Sequence, residues 1–103
     1  MYKVIGLLKR PEGMSVEEFR RWWLEVHAPK VKKWPGLKAY SVNLTLADDA
    51  PFDGVAEVWF ESERQAREVF DTAEGQIARE SATSNSSQII ILLAEEHVMV
   101  SAR

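Results

Sequence analysis

The sequence predicts an α+β fold, a ferredoxin-like βαββαβ sandwich with a four-stranded antiparallel sheet and helices on one face. Three observations predict it. Ser15 with Glu18, and Ser62 with Gln65, each form a capping-box pattern just ahead of an apolar stripe at helical spacing. The other hydrophobic runs are short and strand-like, and the order is strand, helix, strand, strand, helix, strand. Right-handed crossovers then carry both helices to the same side of the sheet. At 103 residues the chain has room for one core, so residues 1–103 read as a single domain.

Each element has its own local reason. "YKVIGLLK" is a first strand, broken by Pro11 and Gly13 in "RPEGM". The Ser15 box then opens a helix, with Met14 and Phe19 placed as a hydrophobic staple and Val16, Phe19, Trp23 and Val26 as its apolar stripe. Pro29 disfavours helical geometry at Ala28, so this helix is expected to end or bend near His27. In "LKAYSVNLTL", Tyr40, Val42, Leu44 and Leu46 alternate with polar residues, the period of a strand. The Asp53-Gly54 step reads as a turn into a third strand, "VAEVWF". The Ser62 box starts a second helix whose stripe is Ala66, Val69, Phe70 and Ala73, with a break expected at 71–75 where Gly75 weakens it and Thr72 can cap a new piece. "QIIILLA" is the last strand, with "HVMV" as a possible continuation.

Parity along the strands shows apolar side chains on both faces of the sheet. Val4 and Leu8 oppose Ile5 and Leu7 in the first strand, Val55 and Trp59 oppose Ala56, Val58 and Phe60 in the third, and Ile89, Ile91 and Leu93 oppose Ile90 and Leu92 in the last, yet the helices can cover one face only. Each large side chain left wet forgoes roughly 1.5 to 3 kcal/mol of burial, and soluble monomers rarely carry such a patch. A homodimer with sheet facing sheet is therefore expected.

Composition excludes several function classes. There is no cysteine, hence no disulfide, thiolate metal site or thiol nucleophile. Neither histidine has the i, i+4 partner of a zinc helix, and there is no phosphate loop, dinucleotide fingerprint or nucleophile elbow, so no metal and no cofactor is expected. No apolar run approaches the roughly 20 residues of a membrane span, and "MYKVIGLLKRPEG" lacks a secretory h-region, so a cytoplasmic protein with no membrane partner is expected. A net charge of −3 opposes a nucleic-acid role. The same fold order serves RNA recognition, but in "DGVAEVWF" Asp53 replaces the required cation, and Val55 and Glu57 stand where stacking rings belong.

The segments "SVEEFRRWWLEVHAPKVKKWPGLKAYSVN", "FDGVAEVWFES", "TAEGQ" and "EEHVMV" occur in the order seen in one known family. The chain resembles the EthD family of the dimeric α+β barrel superfamily, on a Trp-x3-His-x-Pro segment followed by Pro-Gly and an Asp-Gly-x2-Glu-x-Trp-Phe segment. It departs from relatives at "SATSNSSQ", 81–88, where they often have a more apolar segment with an aromatic residue that helps close the cavity. The resemblance implies a dimer enclosing a small cavity in each subunit. It also implies cofactor-free chemistry on lactones, polyketides or aromatic metabolites, with a histidine and a tyrosine from the regions of His27 and Tyr40. Isomerisation, cyclisation or dehydration of an apolar oxygenated ring is the expected reaction. A non-catalytic module binding an apolar metabolite, and a cofactor-independent monooxygenase or other oxidoreductase, are the alternatives.

Residue chemistry supplies the candidate roles. His27, in the last turn of the first helix, can exchange protons near neutral pH, its charge favoured by the helix dipole and opposed by burial. Its plain alternative is a helix-end histidine bonded to the following loop. Tyr40 can orient or protonate a substrate oxygen, or be an ordinary strand aromatic. Glu57 interrupts an apolar row between Val55 and Trp59 and needs a partner, either as a general acid or base or as an ion pair with Lys3 or Arg10. Trp22 and Trp59 are candidate water-excluding walls and substrate contacts, and Asp53 a candidate at the cavity entrance.

Overall fold

Strand β1 (Tyr2–Lys9) lies inside the sheet between β3 (Gly54–Phe60) and β4 (Gln88–Glu95), with β2 (Ala39–Leu44) beyond β3. This computed structural model describes residues 1–101. All three pairings are antiparallel, and the order β2-β3-β1-β4 is the ferredoxin-like arrangement. The register puts Val4 opposite Val58 and Val58 opposite Tyr40, so these three share the face that the helices cover. On the reverse face Lys3 pairs with Trp59, Ile5 with Glu57, and Leu7 with Val55 and Ile90. β4 stops at Glu95, and His97 to Val100 do not continue it.

The first helical arm is where the structure departs most from the local reading. It does not end near His27. Helix α1 (Val16–Arg21) passes into a π-helical turn, Trp22–His27, and then α2 (Ala28–Val31). The Ser15 cap forms as expected, its hydroxyl accepting from the Glu18 N–H at 3.0 Å. Pro29 explains the π-turn: it has no N–H to give, and its ring would clash with the carbonyl four residues back in a continuous α-helix. A widened turn relieves both, and the Ala28 N–H reaches the Trp23 carbonyl, five residues back. One consequence is a shift of the buried face. Val26, expected in the apolar stripe, is 47% exposed, while His27 is 6% exposed.

The second arm breaks where expected. Helix α3 (Glu63–Glu68) tightens into a 3-10 turn, Val69–Asp71, and α4 (Ala73–Asn85) restarts at Thr72, whose hydroxyl accepts from the Gly75 N–H at 3.0 Å. The break also takes Ala73 out of the apolar stripe and exposes it. Gly54 is not the turn residue it resembles. It opens β3, and a Cβ there would stand 2.6 Å from the Trp23 ring, so glycine is what lets the indole lie on the sheet.

Two buried clusters fill the space beneath the arms. One joins Val4, Val58 and Phe60 to Val31, Trp34, Ala66, Val69 and Ala78. The other joins Leu8 to Phe19, Trp23 and Ala82. The helix-free face carries Ile5, Leu7, Val55 and Trp59, none of them buried, and Leu92, 49% exposed. Coverage is incomplete even on the other face, where Ile91 and Leu93 of the edge strand β4 remain about 40% open (40% and 38%).

Candidate active site between the helices and the sheet

His27 sits in the seam between the π-turn and α4. Its Nδ1 lies 3.1 Å from the Ser81 hydroxyl, which belongs to α4 and not to the following loop. Its ring stacks on Trp22 with centroids 4.9 Å apart. Residues five apart diverge by about 140° around an α-helix, so this stack depends on the i to i+5 geometry of the π-turn. Nε2 has no hydrogen-bond partner among the described residues. Burial first, and then the nearby Lys30 ammonium, pull the imidazole down to about 4 from its ordinary 6.5, so it is neutral at pH 7. The helical arm runs on past His27 to Val31, so no helix-end dipole offsets the desolvation that opposes its charge.

This burial makes stability depend on acid. Between pH 6.5 and about 4 the unfolded chain takes up a proton that the folded chain refuses, so stability falls as pH drops through that window. The full loss is roughly 3 kcal/mol at 1.36 kcal/mol per pH unit. Chemical denaturation at pH 7 and pH 4.5 is expected to show a smaller loss for His27→Gln than for the parent. Equal losses would contradict the assignment.

Tyr40 lies on the same side of the sheet. Its hydroxyl and the Trp23 indole N–H are both buried, and neither has a hydrogen bond of good geometry. Burial pushes the phenol up to about 12, and the adjacent Trp23 side chain offsets part of that rise. Tyr40 therefore stays protonated, a donor rather than a base.

Several hollows surround these residues. An almost wholly apolar cavity of about 60 Å³ lies beneath the arms, walled by Val4, Leu8, Val31, Trp34, Phe70 and Ala78 among others. It shares Arg79, Ala82, Ile89 and Ile91 with an open hollow of about 570 Å³ at the β4 edge. That hollow is floored by Thr83, Ser86, Ser87 and Gln88, the polar segment that stands where an aromatic closure was missing. A groove of about 380 Å³ runs outside the helical seam over Trp22 and Ser81, the two residues that hold His27. His27 and Tyr40 are in the wall of none of these three.

The sheet separates the other expected site residues from His27. Glu57 and Trp59 are on the helix-free face, where Lys3 Nζ is 3.5 Å from Glu57 and 3.4 Å from Glu96. Trp59 Nε1 donates to Glu96 at 2.8 Å, and the Lys3 ammonium sits 5.2 Å from the Trp59 ring centre. The Trp59 N–H bond, and with it Lys3, holds the Glu96 carboxyl below the usual carboxylate range. Asp53 takes the Arg10 backbone N–H and guanidinium, both at 2.7 Å, pinning the β3 entry to the end of β1. It also borders a separate hollow of about 490 Å³. Among the described residues no three His, Asp or Glu side chains converge as metal ligands would, and no helix is long and apolar enough to cross a membrane.

Ser81, Arg79 and Ser86 were missed by the sequence reading. Arg79 alone left a signal, a cation set between Ala78 and Ala82 on a helix otherwise small and polar.

The strand order, the helices confined to one face and the apolar face left bare opposite them define a ferredoxin-like α+β protein. The sequence narrows this further: the EthD domain pattern matches residues 11–83, and the chain belongs to the EthD family. It is 35% identical over 75 residues to 4-carboxymethyl-4-methylbutenolide mutase of Pseudomonas reinekei, a match spanning 63% of this chain and 69% of that protein. Among solved structures it is similar to an EthD family protein of Bacillus halodurans c-125, with a TM-score of 0.83, 23% identity, and 94% and 99% of the two chains covered. It is also similar to a dimeric protein of unknown function and ferredoxin-like fold from Bacteroides fragilis NCTC 9343, with a TM-score of 0.71, 15% identity, and coverage of 92% and 95%.

Proposed function

We propose that this protein is a cofactor-free isomerase of catabolic or secondary metabolism, acting by proton transfer on an apolar oxygenated ring such as an unsaturated lactone. The observation that carries the reading is His27: neutral, anchored at Nδ1 by Ser81, braced by Trp22, with Nε2 unpartnered. Nε2 would take a proton from a ring carbon beside the carbonyl, and the electron pair would delocalise onto that oxygen, stabilised by the Tyr40 hydroxyl. The imidazolium would return the proton at another carbon, leaving atoms and charge balanced. The name of the Pseudomonas reinekei relative supports isomerisation over the oxidative alternative.

The active unit in this reading is a homodimer, supported by the bare apolar face and by the dimeric Bacteroides fragilis structure. Within it Glu57 and Trp59 would face the barrel interior, where Glu57, held by Lys3, can polarise a group reaching it from that side. Trp22 would shield the imidazole from water, and Asp53 would shape the neighbouring hollow. Sedimentation at micromolar concentration is expected to give the mass of two chains; a monomer alone would contradict the barrel.

One observation favours a second reading. His27 is in the wall of neither the apolar cavity nor the hollow that adjoins it, so a ligand held there meets the imidazole only after a shift of the elements between them. A non-catalytic module that binds an apolar metabolite needs no such shift. The test is incubation of the purified protein with 4-carboxymethyl-4-methylbutenolide in a chelator, followed by NMR. Conversion to an isomer supports the enzyme, and binding without conversion supports the module.

A further inference from the structure

We infer that Arg79 is the anchor for a substrate carboxylate, so that the ring taken by this cleft is that of an organic acid. The inference rests on the small-molecule reading above and adds the substrate's charge to it. Arg79 is the sole charged residue in the walls of both the 60 Å³ cavity and the 570 Å³ hollow that adjoins it. Both share it, together with Ala82, Ile89 and Ile91, and the larger hollow adds the hydroxyl residues Ser86 and Ser87. The guanidinium lies 5.8 Å from the Phe70 ring centre, and this packing holds the fork at the mouth of the cleft. Arg79 is exposed and, like Arg20 and Arg21, has no carboxylate partner among the described residues, whereas Arg10, Arg64 and Arg67 are each paired to one.

A second observation points to the same end of the cleft. Ser86 Oγ is buried and has no hydrogen-bond partner, and it lines the same hollow. A guanidinium and a hydroxyl residue lining one hollow suit an oxyanion that takes a forked pair of N–H bonds and one O–H bond. The apolar cavity that shares Arg79 with this hollow, walled in part by Trp34, would receive the ring. A neutral hydrocarbon would leave the guanidinium and the Ser86 hydroxyl unsatisfied. A cationic ligand would be repelled.

The test compares two probes that cannot isomerise: the saturated lactone analogue of the relative's substrate, 4-carboxymethyl-4-methylbutanolide, and its methyl ester. Titration calorimetry is run on the parent, Arg79→Gln and Arg79→Lys, with sedimentation to check assembly. The parent is expected to bind the acid about 10- to 100-fold more tightly than the ester, the range of one charge-assisted pair. Arg79→Gln should remove that preference while leaving ester affinity unchanged, and Arg79→Lys should restore part of it. Equal binding of acid and ester by the parent, or an equal loss of both in Arg79→Gln, would overturn the assignment and leave the cleft reading standing. If Arg79→Gln instead weakens assembly with the acid preference intact, Arg79 pairs with the second subunit and the assignment fails. Binding of neither probe would bring down the cleft reading together with it.

Discussion

A His27→Gln variant is expected to isomerise the lactone about 100- to 10,000-fold more slowly than the parent, the usual yield of a positioned general base. Glutamine keeps a similar length and can still bond to Ser81, so the seam should hold and ligand affinity should change little. What it removes is the exchangeable proton. The parent's kcat/KM should therefore rise as pH passes about 4, where the buried imidazole of the free protein loses its charge, and be flat from there through neutrality. A base this weak removes a carbon-bound proton reluctantly, but its imidazolium is a strong acid that returns the proton fast, which suits a shuttle. An acid limb centred near the ordinary 6.5 would mean that the imidazole is solvated in the free protein. An unchanged rate in His27→Gln would leave the binding module as the surviving account.

Gly75→Ala is expected to destabilise the fold by about 4 kcal/mol or more, in the range reserved for forced backbone displacement. A Cβ at Gly75 would meet the Val69 carbonyl oxygen head-on and then Val69 C at 2.7 Å, both main-chain atoms that cannot swing aside. Ordinarily this change inside a helix would help by up to about 1 kcal/mol; here the 3-10 turn folds back across the first turn of α4 and reverses the sign. Urea denaturation reads the difference directly, and a gain in midpoint would show that α3 and α4 are less tightly apposed than described. The same variant should disturb Ala78 and Arg79 one turn on, so the cleft would suffer with the fold.

Much of the architecture was legible because its causes are local. The two serine caps involve residues three apart, and each hydroxyl accepts the expected backbone N–H at 3.0 to 3.1 Å while donating to the Glu18 or Gln65 side chain. Strand alternation is a property of the extended backbone, so both apolar faces could be read by parity. The Lys3 partner of Glu57 was within reach of the same reasoning, since like-facing residues on neighbouring strands meet. The candidate site was less legible. Pro29 announces trouble in the helix without saying whether the chain will stop or widen, and in the widened turn Trp22 stacks on His27 and Trp23 meets Phe19, contacts that no local pattern announces.

By itself, then, the sequence determined the order of elements, the capped helix starts, the break before Gly75 and the surplus of apolar surface on the sheet, because each depends on neighbours along the chain. Only the tertiary structure decided that His27 turns inward while Val26 turns out. It alone decided that Tyr40 shares its side of the sheet while Glu57 does not, and that Arg79 and Ser86 line one hollow. Those outcomes hang on strand register and on how two helices settle against each other. Both are set by contacts between residues far apart in the chain, which no local pattern encodes.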